Sequence, residues 1–99
     1  MSNKTVSVLA RITAQPDRIE ELISLLLRLV EETRKENGCI SYQLLQSRSD
    51  PGDFVCVEEW ASDSAIDSHL GSAHVQDTLL KAAPLLAKEP DIKRYGAVE

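Results

Sequence analysis

Asp50-Pro51-Gly52 lies between two eight-residue stretches of strand-like sequence, Cys39 to Gln46 (CISYQLLQ) and Phe54 to Ala61 (FVCVEEWA). Proline fixes φ and glycine permits positive φ, so this tripeptide turns the chain back on itself and forces an antiparallel hairpin at its centre. With the turn centred near Asp50, the numbers of cross-strand partners sum to about 100, which sets Tyr42 near Glu58 and Ile40 near Trp60. Cys39 and Cys56 then lie several residues out of register, too far apart for a disulfide, and read as buried free thiols.

The flanking segments complete a pattern. Thr5 to Ala14 alternates with period two, with Val6, Val8, Ala10 and Ile12 on one side and Ser7, Leu9, Arg11 and Thr13 on the other, as a strand does. Pro16 and Asp17 suit a first helical turn. Ile19, Leu22, Ile23, Leu26, Leu29, Val30 and Thr33 then form one helical stripe, widened by Leu25 and Leu27. Arg34 and Lys35 fit the last turn and Gly38 the stop. Ser62 caps a short helix carrying Ala65, Ile66, His69 and Leu70, which ends at Gly71. Ser72 caps another with Val75, Leu79, Ala82, Ala83 and Leu86 inward, broken at Pro84, and Ile92 to Val98 reads as a last strand.

The order β-α-β-β-α-β predicts a ferredoxin-like α+β sandwich: an antiparallel four-stranded sheet with helices on one face. At 99 residues the chain reads as one domain, residues 1–99. Helices from one chain cover only one sheet face. Apolar residues occupy both parities of the first and third strands, so a homodimer through the sheet faces is expected.

Composition narrows the function classes. A formal charge of −5 disfavours a nucleic-acid partner, which needs a basic stripe. No run approaches a membrane span, and Lys4 and Arg11 within the first alternation are unlike a secretory signal, so a soluble cytoplasmic protein is expected. The two cysteines and the His69/His74 pair match no metal-ligand spacing, and no metal is expected.

Histidine is confined to His69 and His74, and imidazole is a ready base near neutral pH. Glu58 shares a strand face with Phe54, Cys56 and Trp60, and a carboxylate on an apolar face must be paired or lie at a cavity. Two readings stand for each residue. Functionally, His69 or His74 is a base, Glu58 its orienting partner, Tyr42 a hydrogen-bonding anchor and Trp60 a wall that stacks on a flat ligand. Structurally, His69 packs, His74 lies at the surface, Glu58 bonds a neighbouring backbone or helix cap, and Tyr42 and Trp60 are core.

The stretch Glu36-Asn37-Gly38-Cys39-Ile40-Ser41-Tyr42, then Asp50-Pro51, Glu58-Glu59-Trp60, Ala65 and the spacing His69, Ser72, His74 resembles the antibiotic biosynthesis monooxygenase family of dimeric α+β barrels. Asn37 stands where that family often has proline. The resemblance implies a barrel-forming homodimer with a pocket between sheet and helices. It also implies a monooxygenase that oxidises a small quinol- or anthrone-type aromatic with molecular oxygen as co-substrate and no flavin or metal. The candidate site is catalytic His69, His74 and Glu58 with substrate-binding Tyr42, Trp60, Ser72 and Arg11. Haem-degrading relatives carry an asparagine on the first strand, which Thr5 to Ala14 lacks. Two other readings remain: a non-catalytic dimeric module that binds small aromatics, and an isomerase or lyase of a phosphorylated carbonyl compound using Arg11, Arg48, Lys93 or Arg94.

Overall fold

The computed structural model describes residues 5–98. Its elements are β1 (Val6–Thr13), α1 (Ile19–Thr33), β2 (Cys39–Gln46), β3 (Asp53–Trp60), α2 (Asp63–Leu70), α3 (Ala73–Ala82) and β4 (Asp91–Tyr95), with a 3-10 turn at Ala83–Leu85. The strands form one antiparallel sheet in the order β2-β3-β1-β4, the expected ferredoxin-like α+β arrangement.

Strand alternation decides which side chains meet the helices. Val8, Ala10 and Ile12 of β1 and Phe54, Cys56, Glu58 and Trp60 of β3 point inward and are buried. They meet Leu22, Leu26, Leu29 and Val30 of α1, Ile66 of α2 and Val75 and Ala82 of α3. Tyr42, Glu58 and Val8 are direct neighbours across β2, β3 and β1, so they form one row beneath the helices.

The hairpin register holds from Tyr42 opposite Glu58 to Gln46 opposite Phe54. It slips at a bulge between Cys39 and Ser41, so Cys39 rather than Ile40 faces Trp60. A bulge adds one residue to one strand, and Ile40 is consequently turned to the exterior. Both cysteines are free thiols.

Helix α1 starts at Ile19, two residues after Asp17. Pro16 and Asp17 belong to a turn closed by the Arg18 N–H on the Gln15 carbonyl at 2.9 Å, and no side chain caps the helix. Leu27, counted in its stripe, is exposed. Ser62 and Ser72 cap α2 and α3 through the N–H groups of Ala65 and Val75. Strand β4 is shorter than the sequence suggests and exposed along its length. Arg94 ties it to α2 by ion pairs to Asp63 (2.9 Å) and Asp67 (2.6 Å).

Gly38 has φ of 88°, and a Cβ there would lie 2.6 Å from the Cβ of Ala65. Both facts demand glycine. The close approach presses the segment before β2 against α2, one turn from His69, and thereby delivers Glu36 to the helix pair. Among the described residues no helix covers the other sheet face. Leu9, Leu45, Val55 and Val57 are exposed or half-buried there, beside Arg11, Asp53 and Glu59.

Candidate active site

A cavity of about 70 Å³ lies between the sheet and α1, α2 and α3. Its walls are mostly aliphatic: Val8, Ala10 and Ile12 from β1, Leu26 and Leu29 from α1, Ile66, Leu70 and Val75 from α2 and α3. Tyr42, Cys56, Glu58, His69 and Thr78 supply its polar atoms. Leu79 and Ile92, both about two-fifths exposed, mark where it opens to solvent.

His69 is the centre of the polar groups. It is 4% exposed, and its Nδ1 lies 2.7 Å from Glu36 Oε2. A carboxylate only accepts, so this contact places the ring proton on Nδ1 and leaves Nε2 as the basic nitrogen. The Trp60 ring packs against the imidazole with centroids 4.8 Å apart, and Tyr42 and His74 flank it at 6.0 Å each. The same Glu36 oxygen is 3.1 Å from His74 Nε2. Ser72 anchors both histidines: its hydroxyl donates to the His69 carbonyl at 2.7 Å and lies 3.4 Å from His74 Nδ1.

Glu58 has a different partner from the one expected. Its Oε1 accepts the Trp60 indole N–H at 2.8 Å and bonds neither imidazole. The physical reason is the strand period: residues 58 and 60 share a face, and the indole nitrogen reaches back to the nearer carboxylate. The imidazoles take Glu36 instead. Burial pushes the Glu58 carboxyl up to about 7; the Trp60 hydrogen bond opposes this and the Glu36 charge reinforces it. Burial likewise raises the Cys56 thiol to about 11 and holds the Tyr42 phenol well above its ordinary range.

Of the seven residues singled out in sequence, the cavity brings together Tyr42, Glu58 and His69. Trp60 is fully buried behind His69 and Glu58 and is not a cavity wall. Ser72 and His74 stand behind His69, away from the cavity. Arg11 lies on the opposite sheet face, paired with Asp53 at 3.1 Å, because residue 11 has the other parity from Val8, Ala10 and Ile12. Glu36 is the group that sequence reasoning did not assign. It lies 33 residues before His69, and its one available signal was the Glu36-Asn37-Gly38 stretch before β2, used only for the helix stop at Gly38 and for the resemblance. With it, Glu36, His69 and His74 bring one ligand atom each within 4.8 Å of one another, a cluster that spacing alone did not reveal.

The family model of the antibiotic biosynthesis monooxygenase domain matches residues 5–79, which include Glu36, Tyr42, Glu58, His69 and His74. The chain belongs to the antibiotic biosynthesis monooxygenase family. A solved antibiotic biosynthesis monooxygenase superposes with a TM-score of 0.90 at 30% identity, over 95% of this chain and 99% of the other. Rv0793 of Mycobacterium tuberculosis, which carries a provisional monooxygenase name, is 37% identical over 83 residues, 84% of this chain and 81% of that one. Its solved structure gives a TM-score of 0.89 at 32% identity, covering 96% of each chain. The protein sll1783 of Synechocystis is 33% identical over 94 residues, and the chain spans 95% of its own length but 64% of that relative. Among the described residues of this family member, no helix is long and apolar enough to cross a membrane.

Proposed function

We propose that the chain is a monooxygenase that oxidises a small, flat, electron-rich hydroxyaromatic compound with molecular oxygen, without flavin or metal. The observation that carries this reading is the Glu36–His69 pair at the polar end of an otherwise aliphatic cavity. In it, His69 Nε2 is the base that takes a phenolic proton, and Glu36 holds the ring and stabilises the imidazolium. Tyr42 and Glu58, neighbours across β2 and β3, anchor the second oxygen of the substrate. The aliphatic walls exclude water around the phenolate.

A phenolate is electron-rich enough to pass one electron to oxygen, and recombination of the two radicals forms a carbon–oxygen bond. Loss of water from the resulting hydroperoxide completes the reaction. For a hydroquinone the balance is quinol plus oxygen giving hydroxyquinone plus water: the substrate loses four electrons, one oxygen atom enters the ring and the other leaves as water. No outside reductant is needed.

Cavity size favours one ring. About 70 Å³ corresponds to on the order of five water-sized positions and lies below the roughly 300 Å³ of a typical ligand site. A hydroquinone requires the Leu79 and Ile92 side chains at the mouth to give way, and a polycyclic anthrone requires much more. Among the described residues no arginine or lysine lines the cavity, which argues against a phosphorylated substrate.

The enzyme in this reading is a homodimer. Leu9, Leu45, Val55 and Val57 form an apolar stripe on the sheet face that no helix covers, and a second copy is the simplest cover.

Oxygen uptake with a panel of hydroquinones and anthrones, in the presence of a chelator, tests the activity. The expected result is uptake with one-ring quinols that falls about a hundredfold in His69→Ala. Uptake no faster than autoxidation, combined with tight quenching of the Trp60 fluorescence, would replace catalysis with simple binding.

A further inference from the structure

Glu36, His69 and His74 surround a point that needs a positive charge. Ser72 has one hydroxyl hydrogen and donates it to the His69 carbonyl at 2.7 Å. Towards His74 Nδ1, 3.4 Å away, the Ser72 oxygen can therefore only accept, which puts the His74 ring proton on Nδ1. In the neutral ring the lone pair is then on Nε2. That atom is buried, makes no hydrogen bond, and lies 3.1 Å from Glu36 Oε2, itself an acceptor. The same carboxylate oxygen is 2.7 Å from His69 Nδ1. Two imidazole nitrogens thus converge on one carboxylate oxygen, and the His74 nitrogen is left without a hydrogen bond.

We propose that Glu36 Oε2, His69 Nδ1 and His74 Nε2 bind one divalent transition-metal ion of the zinc class, with water in the remaining position. Two imidazole nitrogens and one carboxylate oxygen are a borderline-soft donor set suited to Zn²⁺ or Co²⁺. The three atoms already lie within 4.8 Å of one another. Metal–ligand bonds of about 2.0–2.2 Å leave at most about 4.4 Å between two donors of one ion, so the more exposed His74 ring must swing inwards as the carboxylate draws back. Its side chain, 18% exposed, has room to do so.

Binding has a functional consequence that rests on His69 being the base. A metal on Nδ1 takes the place of the proton held there, and the neutral ring's one N–H proton moves to Nε2. The nitrogen assigned as the base becomes a donor and no longer accepts a proton. Zn²⁺ is in this account an inhibitor, and the metal-free chain is the active form.

The test is titration of the metal-depleted full chain with Co²⁺ alone, read by its visible absorption, followed by displacement with Zn²⁺. The expected result is one Co²⁺ per chain with a low-symmetry absorption band that Zn²⁺ abolishes. Affinity should weaken at least about tenfold in both Glu36→Gln and His74→Gln and stay unchanged in the surface control Asp77→Asn. Imidazole nitrogen NMR of the unsubstituted chain provides a second measurement that needs no variant: Zn²⁺ should shift His69 Nδ1 and His74 Nε2. Failure to take up stoichiometric metal, affinity in both ligand variants equal to that of the unsubstituted chain, or unshifted imidazole nitrogens would overturn the site. These readouts use no substrate, so they stand apart from the assay of the monooxygenase reading.

Discussion

Glu36 Oε2 and His69 Nδ1 lie 2.7 Å apart, joining the segment before β2 to helix α2 at the inner end of the cavity. This contact fixes the imidazole tautomer and its direction, and so determines whether His69 can act as a base. Glu36→Gln keeps the shape but presents an amide that can donate to Nδ1 and favour the wrong tautomer. The prediction is a fall in kcat of about 10²-fold or more with a small change in KM. Nitrogen NMR should show the His69 proton moving towards Nε2. An unchanged tautomer with full activity would remove Glu36 from the mechanism.

Glu58 makes stability depend on pH. Its carboxyl rises from an unfolded value near 4.5 to about 7 on folding, so between those values the native state holds more proton than the unfolded chain. Its contribution is therefore complete below about pH 4.5 and is lost as pH rises through 7. The shift corresponds to on the order of 3 kcal/mol. Glu58→Gln should flatten this part of the curve, leaving the variant relatively more stable at pH 8 than at pH 5. Denaturant unfolding at fixed protein concentration across that range checks it, and parallel curves for the two proteins would contradict it.

Gly38→Ala should damage fold and site together. The added Cβ meets Ala65 at 2.6 Å and the backbone φ of 88° disfavours any side chain. The expected loss is about 2 kcal/mol, or a Tm lower by about 10 °C. The His69 tautomer signal should be disturbed even at temperatures where the variant is folded, because the strain moves Glu36 away from α2. A variant with unchanged Tm would show that the approach of this segment to α2 is slack.

The uncovered sheet face can be tested by charge. Val57 sits between Leu9 and Gln43 in the sheet and points away from the helices. Val57→Lys should convert a dimer into a monomer in sedimentation while leaving the circular dichroism of the helices intact. A dimer that survives this change, or a parent chain that is monomeric at micromolar concentration, would contradict the proposed assembly.

The fold was largely legible because it rests on short-range signals: strand alternation in β1 and β3, the serine caps of α2 and α3, and the turn at Asp50-Pro51-Gly52. The bulge at Ile40 was not, since a one-residue slip leaves no mark in an alternating pattern. In the site, Tyr42, Glu58 and His69 followed from residue type and face. Arg11 could have been set aside, because its parity already opposed that of the core-facing residues. Glu36 was present in the sequence pattern but its role was not, because its partner is on another element and its delivery depends on the close contact between Gly38 and Ala65. The Glu58–Trp60 bond shows the converse, a local i, i+2 pairing that outcompeted the longer-range partnership with histidine.

Whether His69 drives metal-free insertion of oxygen into a hydroxyaromatic ring is decided by turnover under isotopically labelled oxygen gas with a chelator present. One labelled atom is expected in each hydroxyquinone formed, the other in water, with loss of both signals in His69→Ala. Quinone formed without label, or label incorporated only after metal is restored, would contradict it.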